Sequence, residues 1–314
     1  MTIALGIICD TGIVVAADTE ESIPGLMKRE QEKIQVLLTR YGATLYPPGG
    51  VADVTIRFHS DVRSPKTNPP ETDIAVAGAG SSGYIDALIP RLTSVFQQNE
   101  WVTDDIELRT RTEIVIRRFY KEHIIPFAAY PPGERPEVEM LLAYQRAGIR
   151  RILVSEKTAV RSVQQGEVVA VGAGAFFAKM LLRPFHLSRG LDLRTAQLLA
   201  AYTVFRVKEF IDGCGKYTSM AMIPYSEPLS PDQVSGLEAL FLEQARVEAK
   251  TLARIFRHPK DSIVDAKAMV ASYDQLRSRC DDILTPSEPL ESPKGRSAPQ
   301  GSKRGRQRRL SSQE

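Results

Sequence analysis

Residues 2–18, TIALGIICDTGIVVAAD, contain two short apolar runs on either side of a turn. The turn is Asp10-Thr11-Gly12, and an Asp/Gly turn between β-branched runs is a hairpin signal. The stretch therefore predicts two antiparallel strands. The first begins at Thr2, and the second ends at the carboxylate of Asp18.

Thr2 is a candidate nucleophile. A small residue after Met1 favours removal of the methionine, so we expect the mature chain to begin with Thr2. An N-terminal threonine joins a hydroxyl to an α-amine with an ordinary pKa of about 7.7–8.0, so the amine can act as its base near neutral pH. The alternative is a Met-Thr start with no chemical role.

Lys33 opens the next apolar run, residues 33–38, after a polar loop. The hairpin returns Asp18 to one end of the sheet, where Lys33 can enter beside it. A lysine there would favour proton loss from the threonine, and the aspartate would orient that lysine. The alternative is an ordinary strand-end aspartate and a solvated lysine.

A second apolar strand, beginning near Asp73, runs into a glycine-rich turn and a helix. Pro90 should kink that helix or shift its start. The turn also fits the dinucleotide fingerprint G-x-G-x-x-G through Gly78, Gly80 and Gly83. A second predicted helix through residues 112–120 follows where a parallel strand ending in an acidic residue should stand, which disfavours a Rossmann domain.

Similar patterns continue toward the C-terminus. Residues 168–182 again read as strand, Gly-Ala-Gly turn and helix. The remaining elements are an antiparallel pair around Gly148 (140–144 and 151–155), a helix after Leu191 and a strand at 217–223. This order favours two stacked sheets between helical layers.

Together these motifs resemble the proteasome β-type subunits and bacterial proteasome-like peptidases of the N-terminal nucleophile hydrolase superfamily, over roughly residues 2–225. The resemblance implies an α+β fold, a four-layer αββα sandwich, here with a C-terminal helical extension. It implies a threonine-type endopeptidase subunit that acts on peptides or unfolded proteins, without a cofactor. It also implies self-assembly into rings and allows an ATP-driven unfoldase as a partner.

The resemblance assigns roles to five residues. Thr2 would attack the peptide carbonyl, Lys33 would tune the electrostatics and Asp18 would orient Lys33. Gly80 would supply the backbone N–H of the oxyanion hole, a kind of donor worth about 10²–10³ in rate. Asp212, near the end of the last core helix, matches the family's aspartate there.

Two positions depart from the family pattern. Ala175 stands where the family commonly has a serine that helps to hold the nucleophile's amine. After Asp212 the family has a second serine, and this chain has Cys214 or Gly215 instead. The alternative is therefore a catalytically inactive relative that serves as a scaffold or binding module.

The chain divides into a family-like domain at 1–229, a helical extension at 230–284 and a tail at 285–314. The domain includes an insertion at 39–72, rich in Pro and Gly. The tail has no apolar periodicity, so disorder is predicted. It holds seven basic and three acidic side chains, a net charge of +4, whereas the whole chain has +3. The basic charge therefore belongs to the tail, and a nucleic-acid-binding face is not indicated.

Other chemistry is weakly indicated. The histidines lack metal-ligand spacing, and the cysteines form no C-x-x-C pair. These residues are His59, His123, His186, His258, Cys9, Cys214 and Cys280. A low, odd cysteine count predicts a reducing cytoplasm. No apolar run approaches 18 residues and the start lacks signal-peptide features, so neither membrane insertion nor export is predicted.

Overall fold

A computed structural model describes most of the first 284 residues. The described ranges are 2–23, 27–30, 33–40, 43–45, 57–58, 72–98, 104–131, 135–146, 148–183, 190–224, 229–257 and 262–284. Met1–Leu284 form one compact unit. The predicted tail and most of the predicted insertion at 39–72 lie outside the described residues.

The first sheet has four antiparallel strands, β1 (Ile3–Ile8), β2 (Ile13–Asp18), β12 (Val169–Gly172) and β13 (Thr218–Ile223). Their order in the sheet is β12-β1-β2-β13. The hairpin predicted at the start of the chain, β1 and β2, forms the centre of this sheet.

The second sheet has seven strands. They are β5 (Ile34–Arg40), β6 (Ala43–Leu45), β7 (Arg57–Phe58), β8 (Thr72–Gly80), β9 (Val138–Arg146), β10 (Ile149–Glu156) and β11 (Ala159–Val163). Their order in the sheet is β11-β10-β9-β8-β5-β6-β7, and the described pairs are antiparallel. A separate two-stranded pair, β3 (Glu20–Ile23) and β4 (Met27–Glu30), follows Asp18.

The described residues contain six α-helices. They are α1 (Ser82–Gln98), α2 (Asp105–Phe119), α3 (Ala175–Leu182), α4 (Leu193–Phe210), α5 (Pro231–Arg257) and α6 (Ser262–Leu284). Asp104 and Asp192 cap α2 and α4, each accepting a backbone N–H of the first turn. The helix predicted around Pro90 forms, with the proline inside α1.

Strand β1, residues 13–17 of β2 and residues 74–79 of β8 are apolar because both of their faces are buried. On β1, Ile3, Leu5 and Ile7 pack into a cluster with α3, α4 and α5. Ala4 and Ile8 instead join a cluster shared by the two sheets, which is rich in alanine and valine. Helices α1 and α2 pack on the second sheet in a third cluster of the described residues. Alternation of side chains along a strand produces this division.

The predicted helix after Pro231 continues the same core. Leu237 and Phe241 of α5 lie in the cluster that holds β1 and α4, together with Cys280 of α6. Strand β11 was not anticipated by the sequence. Within the predicted insertion at 39–72, Arg57–Phe58 form the short strand β7.

Candidate active site

The hairpin brings the start of the chain to Asp18. Strands β1 and β2 pair with Ala4 opposite Ala17, so the end of β2 lies beside the first residues. The backbone N–H of Ile3 donates to Asp18 Oδ1 at 3.0 Å. Thr2 is buried at this point. The predicted proximity of Thr2 and Asp18 is therefore present in the structure.

Asp18 connects three separate segments. Its Oδ1 also accepts Lys33 Nζ at 2.9 Å, and its Oδ2 accepts the backbone N–H of Gly215 at 3.0 Å. The Asp18 side chain is 0% exposed and that of Lys33 is 10% exposed. A buried carboxylate needs partners of this kind to remain charged.

Lys33 has a second partner in the segment that follows Asp18. Its Nζ donates to the carbonyl oxygen of Glu20. The lysine stands one residue before β5, in the second sheet, whereas Asp18 ends a strand of the first sheet. The ion pair between Lys33 and Asp18 therefore joins the two sheets near Thr2.

The Gly172-Ala173-Gly174 turn packs directly against Thr2. Gly172 is opposite Ile3 in the strand ladder and has φ +90°, and a Cβ there would overlap the carbonyl oxygen of Thr2. Gly174 N–H points to that same oxygen at 3.5 Å. Ala175, the predicted departure from the family, is the half-buried first residue of α3 and follows this turn.

Gly80 ends β8 on the side of the site formed by the second sheet. Its φ is +116°, and a Cβ there would overlap the carbonyl oxygen of Glu137. Only glycine adopts such a position without strain. A Cβ built on Gly172 would also meet Ala79 Cβ at 2.8 Å, so the end of β8 lies close to the turn beside Thr2.

Glu139 is a charged neighbour that sequence reasoning missed. Its Oε2 accepts the backbone N–H of Gly172 at 2.6 Å, across the two sheets. It is exposed between the buried residues Val138 and Met140 of β9. An isolated acidic residue in an apolar strand was the signal that could have identified it.

Asp212 is exposed in the turn that follows α4. The same turn leads through Gly213, with φ +84°, to Gly215 and its bond to Asp18.

Cys214 lies beside this network but is a poor nucleophile. Burial raises the pKa of its thiol to about 12, and the nearby Asp18 carboxylate adds to the effect while Lys33 opposes it. The thiol is therefore protonated at neutral pH, and the thiolate is the reactive form of cysteine. The hydroxyl of Thr2 is the stronger candidate nucleophile of the two.

The described residues contain no group of three or more His, Cys, Asp or Glu side chains that could hold a metal ion. None of the described helices is both long and apolar enough to cross a membrane.

No family model and no curated protein matches this sequence. Solved structures do resemble its fold. A Gly-1 mutant of Anbu from Hyphomicrobium sp. strain MC1 has a TM-score of 0.58 at 12% identity, covering 81% of this chain and 100% of that chain. Anbu from Yersinia bercovieri, described as an ancestral beta-subunit, has a TM-score of 0.56 at 12% identity, covering 82% and 97%.

A third similar structure is the helical assembly of the Anbu complex from Pseudomonas aeruginosa. It has a TM-score of 0.58 at 11% identity, covering 80% of this chain and 96% of that chain. At these identities the likeness concerns the fold alone. The chain therefore shares the fold of these Anbu structures, a proteasome-like fold with two antiparallel sheets and helices packed on each.

Proposed function

We propose that the protein is a threonine-type endopeptidase subunit of a proteasome-like complex, with Thr2 as its N-terminal nucleophile after removal of Met1. One observation carries the proposal. The buried carboxylate of Asp18 binds Lys33, the N–H of the residue that follows Thr2, and the N–H of Gly215. A single group thus holds the start of the chain and the lysine in fixed positions.

The proposed reaction uses Thr2 and the groups that the two sheets bring near it. Thr2 Oγ attacks a peptide carbonyl, and its proton passes to the α-amine of Thr2, which later gives it to the leaving amine. The positive charge of Lys33 favours this proton loss. The N–H of Gly80 would stabilise the oxyanion. Asp212 is exposed in the turn after α4, and Asp212→Asn tests whether it has a role in the reaction.

Assembly belongs to the same proposal. The packing of α3, α4 and α5 on one sheet and α1 and α2 on the other supports the four-layer αββα arrangement. One of the similar folds was solved as a helical assembly. We propose that this chain also self-assembles, that it acts on unfolded chains in the cytoplasm, and that an ATP-driven unfoldase is a candidate partner.

The test is a covalent probe read by mass spectrometry. The purified full chain is treated with a peptide epoxyketone or β-lactone, and the modified residue is identified together with the mature N-terminus. We expect the chain to begin at Thr2 and to carry one adduct there. Thr2→Ala should abolish the adduct, whereas Thr11→Ala, in the exposed hairpin turn, should keep it.

An unmodified Thr2 would favour the second candidate, an inactive scaffold subunit. This candidate is favoured by Ala175 in place of one supporting serine, and by Cys214 or Gly215 in place of the other. Light scattering checks assembly independently. A mass equal to one 34.8 kDa chain would contradict it.

A further inference from the structure

Lys208 of α4 is a nearly buried cation that reaches the extension helix α5. Its side chain is 9% exposed, and its Nζ donates to Glu238 Oε1 of α5 at 2.5 Å. The same nitrogen donates to Thr218 Oγ1 at 3.0 Å and to the carbonyl oxygen of Lys216 at 2.8 Å. An ammonium has three N–H donors, so these three acceptors fix its orientation.

Glu238 completes the cluster from α5. Its side chain is 20% exposed, and its Oε1 also accepts the hydroxyl of Thr218 at 2.6 Å. Lys208, Glu238 and Thr218 therefore each contact the other two, and they come from α4, α5 and β13. We call these three residues the clamp. Glu238 lies beyond residues 2–225, the part of the chain that resembles the proteasome-like peptidases.

The segment from Gly215 to Thr218 lies between the clamp and the candidate site. Gly215 N–H donates to Asp18 Oδ2 at 3.0 Å. Tyr217 N–H donates to Thr19 Oγ1 at 3.1 Å, and the Tyr217 carbonyl accepts the N–H of Thr19 at 2.9 Å. Thr218, a member of the clamp, is opposite Asp18 in the ladder between β13 and β2. The segment is therefore bound both to the end of β2 and to the clamp.

The backbone of Lys216 turns the chain between these two attachments. Its φ is +54°, in the left-handed region, which a residue with a Cβ keeps only where its surroundings impose it. The Gly215 N–H, one residue earlier, binds Asp18, whereas the Lys216 carbonyl accepts the ammonium of the clamp. A Cβ built on Gly215 would overlap the Glu20 carboxylate, so the backbone there is closely packed as well. The bond from the clamp is one of the restraints that hold this turn.

Stability alone is a weak reason for a nearly buried ion pair. Replacing such a pair with apolar side chains of similar volume is often neutral or stabilising, because the desolvation of two charges offsets their attraction. An apolar pair cannot supply the N–H that the carbonyl oxygen of Lys216 accepts. The particular contribution of the Lys208–Glu238 pair is therefore the position of the segment.

We propose that Lys208 and Glu238 are positioning residues, which keep the Gly215 N–H on Asp18 and so tie the extension helix α5 to the candidate active site. The inference rests on the proposed function, in which Asp18 orients Lys33. Both positioning residues act through the backbone of the segment, and neither gains or loses a proton. Without them the segment would leave Asp18 for part of the time, and the carboxylate would lose one of the partners that fix it.

Hydrogen exchange tests the position of the segment without any peptidase activity. Exchange is measured on the full chain by mass spectrometry, in peptides that cover residues 211–219 and, as a reporter of global opening, strand β1. In Lys208→Met we expect exchange in 211–219 to be about tenfold faster than in wild type, the effect of one lost hydrogen bond to a charged group. Thr218→Ser keeps the hydroxyl and should match wild type. Glu243→Gln, which removes only an exposed ion pair of α5 with Arg279, is the control and should also match.

A double variant separates position from stability. Lys208→Met leaves the Glu238 carboxylate without its cation, which can loosen the whole fold. Lys208→Met/Glu238→Met buries no lone charge, so β1 should exchange as in wild type. Exchange in 211–219 should stay about tenfold faster, because the Lys216 carbonyl still lacks its donor. Wild-type protection of 211–219 in the double variant would overturn the inference, and so would equal acceleration of 211–219 and β1. The double variant also decides the case in which Lys208→Met does not fold.

The effect on the candidate site is measured by the kinetics of β-lactone labelling. In the double variant we expect the maximal rate of labelling at Thr2 to fall about tenfold. The β-lactone concentration that gives half of this rate should be unchanged, because the clamp acts through Asp18 rather than by binding the probe. A maximal rate equal to wild type, or a loss confined to the affinity for the probe, would overturn the inference.

The two proposals fail in different ways. Faster exchange confined to 211–219 in the double variant, with a wild-type Thr2 that never reacts with the β-lactone, would refute the peptidase and retain the clamp. A reactive Thr2 in wild type, with 211–219 fully protected in the double variant, would do the reverse.

Discussion

Asp18 is the residue on which the candidate site depends. Its two carboxylate oxygens bind Lys33, Ile3 and Gly215, and none of its side-chain surface is exposed. The sequence could predict that Asp18 lies near the start of β1 and near Lys33, because the hairpin returns the end of β2 to that place. It could not predict the bond to Gly215, because that bond joins residues 197 positions apart.

Removal of the lysine should be strongly destabilising. Lys33→Met leaves the buried Asp18 carboxylate without its cation, and breaking a buried ion pair in this way costs about 3–5 kcal/mol. Denaturant unfolding measures the loss. Lys179→Met, at an exposed position of α3, is the matched control and should change the free energy of unfolding by less than about 0.5 kcal/mol. A loss below roughly 1 kcal/mol in Lys33→Met, one third of the expected minimum, would contradict the buried pair.

Cys214 should make the stability of the protein depend on alkaline pH. The folded thiol has a pKa of about 12, whereas an unfolded cysteine titrates near about 8.5. Between these values the unfolded chain loses a proton that the folded chain keeps, so stability falls as pH rises. We expect Cys214→Ala to lose less stability than wild type between pH 9 and pH 11, measured by urea unfolding. Parallel curves for the two proteins would contradict the raised pKa.

At the scale of elements, the junction between β8 and α1 depends on two glycines with different environments. Gly80 has a positive φ and a crowded backbone neighbour. Gly83 is exposed, and a Cβ built there meets nothing within 4 Å. The sequence alone presented both as members of one G-x-G-x-x-G string. Only the backbone conformation separates their roles.

Alanine substitutions should therefore have opposite effects at these two glycines. Gly80→Ala introduces backbone strain of about 1–3 kcal/mol and should also reduce reaction of Thr2 with the β-lactone. Gly83→Ala lies in the first turn of α1 and should leave stability unchanged or raise it by up to about 1 kcal/mol. Two measurements on both variants check this prediction: the midpoint of thermal unfolding and the rate at which the β-lactone labels Thr2. Equal effects of the two substitutions would contradict the assigned geometry.

The helical extension should be as important for stability as the sheets. Phe241 of α5 is 7% exposed and packs against Tyr202 and Phe205 of α4. We expect Phe241→Ala to cost about 3–5 kcal/mol in denaturant unfolding. The control is Phe176→Ala on α3, where the ring is 79% exposed, with an effect within about 0.5 kcal/mol. A small effect of Phe241→Ala would mean that α5 packs loosely on α4.

At the scale of the whole molecule, charge and folding belong to different parts of the chain. The net charge is +3, and residues 285–314 contribute +4, which leaves −1 for residues 1–284. The compact unit also ends at Leu284. Composition alone predicted that the tail is separable from the folded part.

Deletion of residues 285–314 should change charge without changing stability. The truncated chain should elute earlier from a cation exchanger, because its net charge falls from +3 to −1. Its unfolding midpoint and the β-lactone adduct on Thr2 should match those of the full chain. A lower midpoint would show that the tail contributes to the folded unit.

Much of the fold could be read from local pattern. The two apolar runs on either side of the turn at Asp10–Gly12 predicted β1 and β2, and the glycine-rich turns predicted the junctions of strands with α1 and α3. Strand β11 was missed because its two buried residues, Val160 and Val163, are separated by the polar residues Arg161 and Ser162. Local pattern is informative where an element has two buried faces, and weaker at the edge of a sheet.

The sequence by itself determined most of the strand and helix order, because these features depend on short-range periodicity and turn chemistry. It also placed Thr2 before β1, Asp18 at the end of β2 and Lys33 just before β5. Only the tertiary structure decided that Gly215 binds Asp18, that Glu20 fills the space beside Gly215, that Glu139 reaches Gly172 and that Asp212 faces solvent. These contacts join segments far apart in the chain. They depend on how two sheets and a distant turn pack together, which spacing along the sequence does not specify.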